Sequence, residues 1–492
     1  MTPPSATLRK APQFYQYVVS PIMLYVRVPQ RNVELSATNQ SAAFHRCAGV
    51  YLNLELDFDN TYSTTSMSDR NPKATAEEYR NIQSMPPQSH AVINGSFDRD
   101  PARSIWTTFC VNSEGNQPTA SLRATRPFIA ILDDFYDILG PSAELEDKRL
   151  TIELAGVYIQ ETNEVFFTSN RMNTPDQSEH PFPCYTNFSK IGQAGKASYE
   201  WQILKPPSQS FVLANGGTSY NGKVLMAVQG YRLDVPSSLI TVDPITLQSE
   251  VLLNSFFGRP FNSINDVAVL MRPGVRPMDL GHQWIFFTDP PYGYYQGFKE
   301  YPRLPSQVYA FHPPSGSIRV VADGFQRPNG IVFSPDMLTC YITDTGFASS
   351  DPEDARPLDG SRPGTIYAYD IVHSPDGADH QIHPPALTNR RLFAFTDCGM
   401  PDGIKCDTKG NVYAGCFDGV HVWNKHGALV GKILLGLDVP SSKGVPEGRG
   451  CANLVFVPGG LLMFAEDKAY LATIQAKGAL LEEASQKFVF DK

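Results

Sequence analysis

Residues 329–346 read NGIVFSPDMLTCYITDTG. A polar residue and a glycine lead into a short apolar run, Ser-Pro-Asp marks a turn, and a second apolar run ends on Thr-Asp. β-Branched and aromatic residues bounded by turn formers predict two adjacent strands. The same order recurs in five other places. They are ELAGVYIQETNEVFFTSN from Glu153, NGGTSYNGKVLMAVQG from Asn215, and NDVAVLMRPG with HQWIFFTDP from Asn265, then DGIKCDTKGNVYAGC from Asp402 and NLVFVPGGLLMFAED from Asn453. Each interval between starts has room for about four short strands and their turns, the content of one β-propeller blade. The six copies predict an all-β fold, a six-bladed β-propeller with an additional N-terminal region. The period is irregular, and neither a WD40 nor a kelch signature is present. A β-sandwich with long loops is the competing all-β reading, but a sandwich has no reason to repeat one polar lead residue.

Outward from the repeats, composition narrows the classes. The chain has 492 residues, 42% hydrophobic and 18% charged, which excludes a disordered chain and a solenoid of charged helices. Its 37 glycines and 40 prolines favour short strands and many turns over long helices. A net charge of −9 without a basic stripe argues against nucleic acid or an anionic membrane surface as partner. No run of about 18 apolar residues predicts a membrane span. The segment Phe14–Val28 reads as a buried strand more readily than as a signal peptide, which favours a cytoplasmic over a secreted protein. The eight cysteines are scattered with no CxxC or zinc spacing, so buried thiols are expected. The sequence sets no oligomeric state.

Residues 1–125 differ in character, with strand-like pieces at Tyr15–Val28 and Ala48–Phe58, a helix-like patch at Ala76–Ile82, and no motif that implies chemistry. They are read as an extension of unknown role, and residues 126–492 as the propeller. Closing the ring with a strand from the N-terminal side would be economical, though no residue pattern demands it.

In a propeller the innermost strand of each blade lines a central channel, and a polar residue at its start points into the channel mouth. Here those residues are Glu153, Asn215, Asn265, Asn329, Asp402 and Asn453. All carry amide or carboxylate oxygens, which suit a hard cation, calcium before magnesium. Taken singly, Asn329-Gly330 and Asp402-Gly403 are ordinary turn pairs. Their joint recurrence at equivalent repeat positions favours a site, with Asn215 and Asn453 nearer the turn reading. Asp289, Asp344 and Asp467 recur at the far end of second strands and are expected to accept backbone hydrogen bonds. No G-x-S-x-G elbow and no phosphate-binding glycine loop is present. His282, His421 and His426 read as surface or hydrogen-bonded structural residues.

The stretches FFGRPFNSINDVAV (256–269), IFFTDPPYGYYQGF (285–298), RPNGIVFSPD (327–336), YITDTG (341–346), MPDGIKCDTKGNVYAG (400–415) and GVHVWNKHGALVGKI (419–433) resemble the senescence marker protein/gluconolactonase family, in its fungal lactonohydrolase branch. The resemblance runs from about Phe128 to Ile474. It implies a six-bladed propeller with one divalent metal, usually calcium, near the channel mouth, and hydrolysis of a small lactone. It implies that Asn329 and Asp402 bind the metal and that Asn265 lies beside metal and substrate. One departure stands out. The family's first metal ligand is a Glu that opens the first blade, and alignment on Ala155-Gly156-Val157 puts Leu154 at its place and Glu153 one residue early. Alternate strand residues face opposite ways, so the offset matters unless a bulge turns Glu153 back to the metal.

The expected chemistry is ring opening by water, with a divalent cation polarising the lactone carbonyl. Asp402 is expected to serve as metal ligand and general base, Asn329 and Asn265 as neutral ligands, and Asn215 as a contact for substrate hydroxyls. Tyr292, Tyr294, Tyr295 and Phe298 share one loop, which reads equally as an aromatic wall over a bulky secondary-metabolite lactone or as packing between blades. Tyr292 and Tyr294 are the substrate candidates among them. The alternative function is a repurposed propeller that has lost hydrolysis through Leu154 and binds a small molecule or catalyses a non-hydrolytic step.

Overall fold

The computed structural model describes residues 79–91, 110–112, 115–117, 126–148, 155–174, 181–192, 201–273, 280–349, 354, 359–373, 383–435, 450–465 and 468–480. Contacts divide the chain into Met1–Thr64 and Thr65–Lys492, and every described residue belongs to the second unit. The strands expected at Tyr15–Val28 and Ala48–Phe58 lie outside the described residues. The helix-like patch at Ala76–Ile82 is corrected where it is described: residues 79–81 form a turn and Ile82–Ser84 is a strand. Its parallel pairing with Phe128–Ala130 decides the outcome over local helix preference.

Among the described residues, six sheets of four or more strands are arranged as blades. Their innermost strands are Ala155–Ile159, Ala214–Tyr220, Val267–Met271, Pro328–Phe333, Ile404–Cys406 and Asn453–Val457 for blades 1 to 6. Each inner strand neighbours the next, and the sixth neighbours the first, so the ring is closed. Blades 2 to 4 are antiparallel meanders of four consecutive strands, and blade 1 is a four-stranded antiparallel sheet with the hairpin Met172–Asn173 and Cys184–Tyr185 inserted between its second and third strands.

Blades 5 and 6 are finished by strands from far upstream. Glu144–Lys148 pairs antiparallel with Lys468–Thr473 as the outer strand of blade 6. Phe128–Ala130 pairs antiparallel with Leu429–Leu434 of blade 5 and then with Ile82–Ser84. Short helices, Asp134–Leu139 the longest described, connect these pieces. Among the described residues no helix is long and apolar enough to cross a membrane.

The doubled aromatics of the second strands follow from this architecture. Successive strand side chains face opposite ways, and each blade is sandwiched between two others, so both faces are apolar. In blade 3, Phe286 packs with Phe333 and Ile342 of blade 4, while Phe287 packs with Leu225 and Leu239 of blade 2. Both rings are fully buried. Gly156 has no room for more: a Cβ there would lie 2.2 Å from the Phe464 ring.

Candidate functional site

The lead residues of adjacent blades touch one another around one end of the channel. The Thr168 hydroxyl donates to the Asn215 carbonyl at 3.1 Å, Thr288 to that of Asn329 at 2.7 Å, and Thr343 to that of Asp402 at 2.9 Å. In each case a threonine near the end of one blade's second strand holds the lead residue of the next blade. The Gly216 N–H donates to the Asn265 carbonyl at 2.8 Å. These threonines went unnoticed in the sequence because a threonine inside an apolar strand already fits β-propensity.

The glycines after the lead residues serve close approach, not turns. Gly216 and Gly330 lie inside strands, and neither has left-handed backbone. A Cβ on Gly216 would lie 2.5 Å from the Asn265 carbonyl oxygen. One on Gly330 would lie 2.5 Å from that of Asp402, and one on Gly403 would lie 2.4 Å from Asn453 Oδ1. The turn reading of Asn329-Gly330 is therefore replaced by a packing reason. Gly330→Ala is expected to cost about 1–3 kcal/mol by overpacking against rigid backbone. A urea midpoint within error of wild type at unchanged m would refute it.

Two buried carboxylates steady the chain just before the lead residues. Asp289 accepts the N–H groups of Asn262 and Ser263 at 3.0 and 2.8 Å, and Asp344 accepts those of Gln326 and Arg327 at 3.0 and 2.9 Å. These amides stand three and two residues before Asn265 and Asn329 respectively. The expectation that Asp289 and Asp344 accept backbone hydrogen bonds is thus met. Asp467 lies outside the described residues. Burial pushes the Asp289 carboxyl up to about 7, against its two amide hydrogen bonds and the charge of Lys299.

The Asn329 side chain is nearly buried, and its Nδ2 donates to the Tyr292 hydroxyl at 3.2 Å. Tyr292 in turn bonds Thr345 Oγ1. The ring of Tyr292 keeps some exposure, but its hydroxyl is enclosed. Burial first, and then the negative charge of Asp402, push that hydroxyl above its ordinary pKa. Burial and the Asp402 charge do the same to the Cys451 thiol. The Asp402 charge is thus felt at both Tyr292 and Cys451. Arg327, two residues before Asn329, is buried as well. Its guanidinium stands 5.0 Å from the Tyr295 ring centroid, and it donates to Ser349 Oγ at 3.0 Å and to the Ala348 carbonyl.

Asn265 is 5% exposed and Asn215 half-buried, both on this ring. Asn453 spends Oδ1 on its own strand, accepting the Leu454 N–H at 2.8 Å. Glu153 and Leu154 lie outside the described residues. The aromatic loop divides. Tyr292 reaches Asn329, Phe298 is buried with Cys184, Leu213 and Tyr231, and Tyr294 is 39% exposed against Tyr295 and Tyr301. His421 is buried and bonds Asp418 at 2.7 Å, a structural histidine.

Among the described residues no group of three or more His, Cys, Asp or Glu side chains is placed to hold a metal. What the mouth offers is amide oxygen from Asn215, Asn265 and Asn329 and one carboxylate, Asp402. That donor chemistry fits a hard cation such as calcium and does not suit zinc. A separate cavity of about 180 Å³ lies farther along the channel, lined by Tyr158, Tyr220, Gln283 and Lys405 among others, and includes none of the lead residues.

No family model matches the chain. Lactonohydrolase oryL of Aspergillus oryzae is 30% identical over 358 residues, covering 68% of this chain and 74% of that protein. A gluconolactonase of Zymomonas mobilis is 27% identical over 216 residues, covering 43% of this chain and 51% of its own length. Among solved structures, one described as an inferred gluconolactonase superposes with a TM-score of 0.50 at 20% identity, covering 71% of this chain and 98% of that one. The last comparison bears on the fold alone.

Proposed function

The chain belongs to the gluconolactonase and lactonohydrolase family of lactone-hydrolysing enzymes, and from that premise we propose that it opens the ring of a small-molecule lactone at the mouth formed by the lead residues, with a divalent cation, calcium, as cofactor. The observation that supports this reading is the close approach of the Gly330 backbone, one residue past Asn329, to the Asp402 carbonyl, which sets the lead residues of blades 4 and 5 side by side. Asn329, Asp402 and Asn265 would hold the cation, with Glu153 as a fourth candidate. When bound, it would supply Lewis-acid polarisation of the lactone carbonyl.

The chain's own residues do the rest. Asp402 accepts the proton of the attacking water on the carboxylate oxygen turned to substrate. Asn265 and Asn215 hydrogen-bond substrate oxygens and hold the ester in line. The Tyr292 ring forms one apolar side of the mouth, while Tyr294 serves a larger substrate at the rim. The Phe298 packing makes that wall rigid, which favours a defined lactone shape over a swinging lid.

The test is acid release by pH-stat on lactones from glucono-1,5-lactone to bulky aromatic ones, with calcium and then with chelator. Ring opening that chelator abolishes and calcium restores is expected. Opening that survives chelation would remove the metal from the proposal. No opening of any lactone by folded, calcium-loaded protein would favour the repurposed propeller.

A further inference from the structure

We propose that Tyr292 and Thr345 are positioning residues that fix which way the Asn329 side-chain amide faces. The proposal rests on the metal reading above, and extends it to two residues that would touch neither metal nor water nucleophile.

The direction follows from counting protons. A hydroxyl has one proton to donate, whereas an amide carries its donors and its acceptor on opposite arms. The Thr345 hydroxyl, 1% exposed, spends its proton on the Arg327 carbonyl at 3.3 Å. Toward Tyr292 it is then an acceptor, so the Tyr292 proton goes to Thr345 Oγ1. Tyr292 Oη is left with lone pairs only on the Asn329 side, and Asn329 must meet it with Nδ2, the arrangement found at 3.2 Å. The amide's other arm, Oδ1, is thereby the one turned away from Tyr292, available to a cation at the mouth. Reversed, the amide would present two N–H donors to a positive ion.

The relay is anchored at its far end by backbone. The Thr345 N–H also donates to the Arg327 carbonyl at 3.0 Å, and the preceding Asp344 holds the Arg327 N–H. Arg327, Asn329 and Thr345 are thus tied into one small unit, and Tyr292 is the piece contributed by another blade.

Thr345→Val is the sharper probe because it keeps shape and backbone while removing the acceptor. The Tyr292 proton would then turn to Asn329 and select the flipped amide. Tyr292→Phe removes the orienting partner altogether. In Asn329→Asp both oxygens are acceptors, so orientation no longer matters and Tyr292→Phe should cost nothing further in that background.

The experiment is calorimetric titration of the full chain with calcium ion, alongside thermal melting in chelator. Expected are a Kd raised roughly 10–100-fold by Thr345→Val and by Tyr292→Phe, as for other residues that orient a metal ligand, with chelated melting points near wild type. The double variant Asn329→Asp/Tyr292→Phe should match Asn329→Asp. A wild-type Kd in both single variants, or an undiminished Tyr292→Phe effect in the Asn329→Asp background, would overturn the inference while leaving the metal reading intact. Failure of the wild-type chain itself to bind calcium would overturn the metal reading and this inference with it. Should Tyr292→Phe not fold, Thr345→Val decides alone.

Discussion

Asp402→Asn is expected to lower kcat/KM for lactone opening by about 10²–10⁴-fold, the range for loss of a positioned general base. The substitution is isosteric, and the backbone that seats the residue is untouched: its N–H donates to the Gly415 carbonyl at 2.8 Å and its carbonyl accepts Thr343 Oγ1 at 2.9 Å. What is removed is the carboxylate among the described lead residues, and with it the proposed proton acceptor. Calcium affinity should fall with it. The Asp402 charge also helps raise the Tyr292 hydroxyl and the Cys451 thiol, so both should titrate lower in the variant. Activity within a few-fold of wild type on the best lactone would show that Asp402 has neither role.

Lys432→Met is expected to cost about 2–4 kcal/mol of folding stability through the loss of one partner from a buried ion pair. Lys432 is 1% exposed, and its Nζ stands 2.6 and 2.7 Å from the two oxygens of Asp397 and 3.9 Å from Asp418. Asp418 is fully buried and would keep His421 at 2.7 Å, while Asp397, half-exposed, can turn to water, which sets the loss below the full buried-pair value. Burial alone would raise the Asp397 carboxyl, but the charges of Lys432 and His421 outweigh it and hold it at about 2. A depressed carboxyl stabilises the fold above its unfolded value of 3.8 and loses that contribution as pH falls through about 2. Wild type should therefore lose this increment between about pH 4 and pH 2, and Lys432→Met should lack that part of the acid limb. Equal urea midpoints for the two proteins at pH 7 would sink the idea.

This cluster occurs where a simpler device is missing. The chain before Asn265 and Asn329 is steadied by Asp289 and Asp344, but in blade 5 Cys416 stands at the corresponding position after Gly415. The segment leading to Asp402 begins instead at Asp397, tied to Lys432. Repeat logic from residue types could not find this substitution, because Asp397 and Lys432 meet across intervening strands and neither recurs in another blade.

The legible part of the molecule was what recurs. The lead residues and the paired apolar strands repeat at each blade, the strand-end aspartates at three of them, and six weak local signals became one strong one. Asn329-Gly330 shows the limit: the pair is visible, yet its glycine is explained only by Asp402, which arrives from the next blade. Thr168, Thr288 and Thr343 were hidden because their strands already call for β-branched residues. Arg327 and Thr345 were hidden because their partners are defined by folding. Leu154, the departure from the family pattern, is a sequence observation and lies outside the described residues.

The strand Glu144–Lys148 carries a consequence for the order of events during synthesis. It leaves the ribosome before any blade is complete, and its partner, Lys468–Thr473, is among the last described segments to be made. Until then the nascent chain carries an unpaired edge, and blades 1 to 4 can form while the ring stays open. Such distant pairing is slow and exposes strand edges to other chains. A nascent chain stalled before blade 6 should accordingly need chaperone protection that the released protein no longer needs.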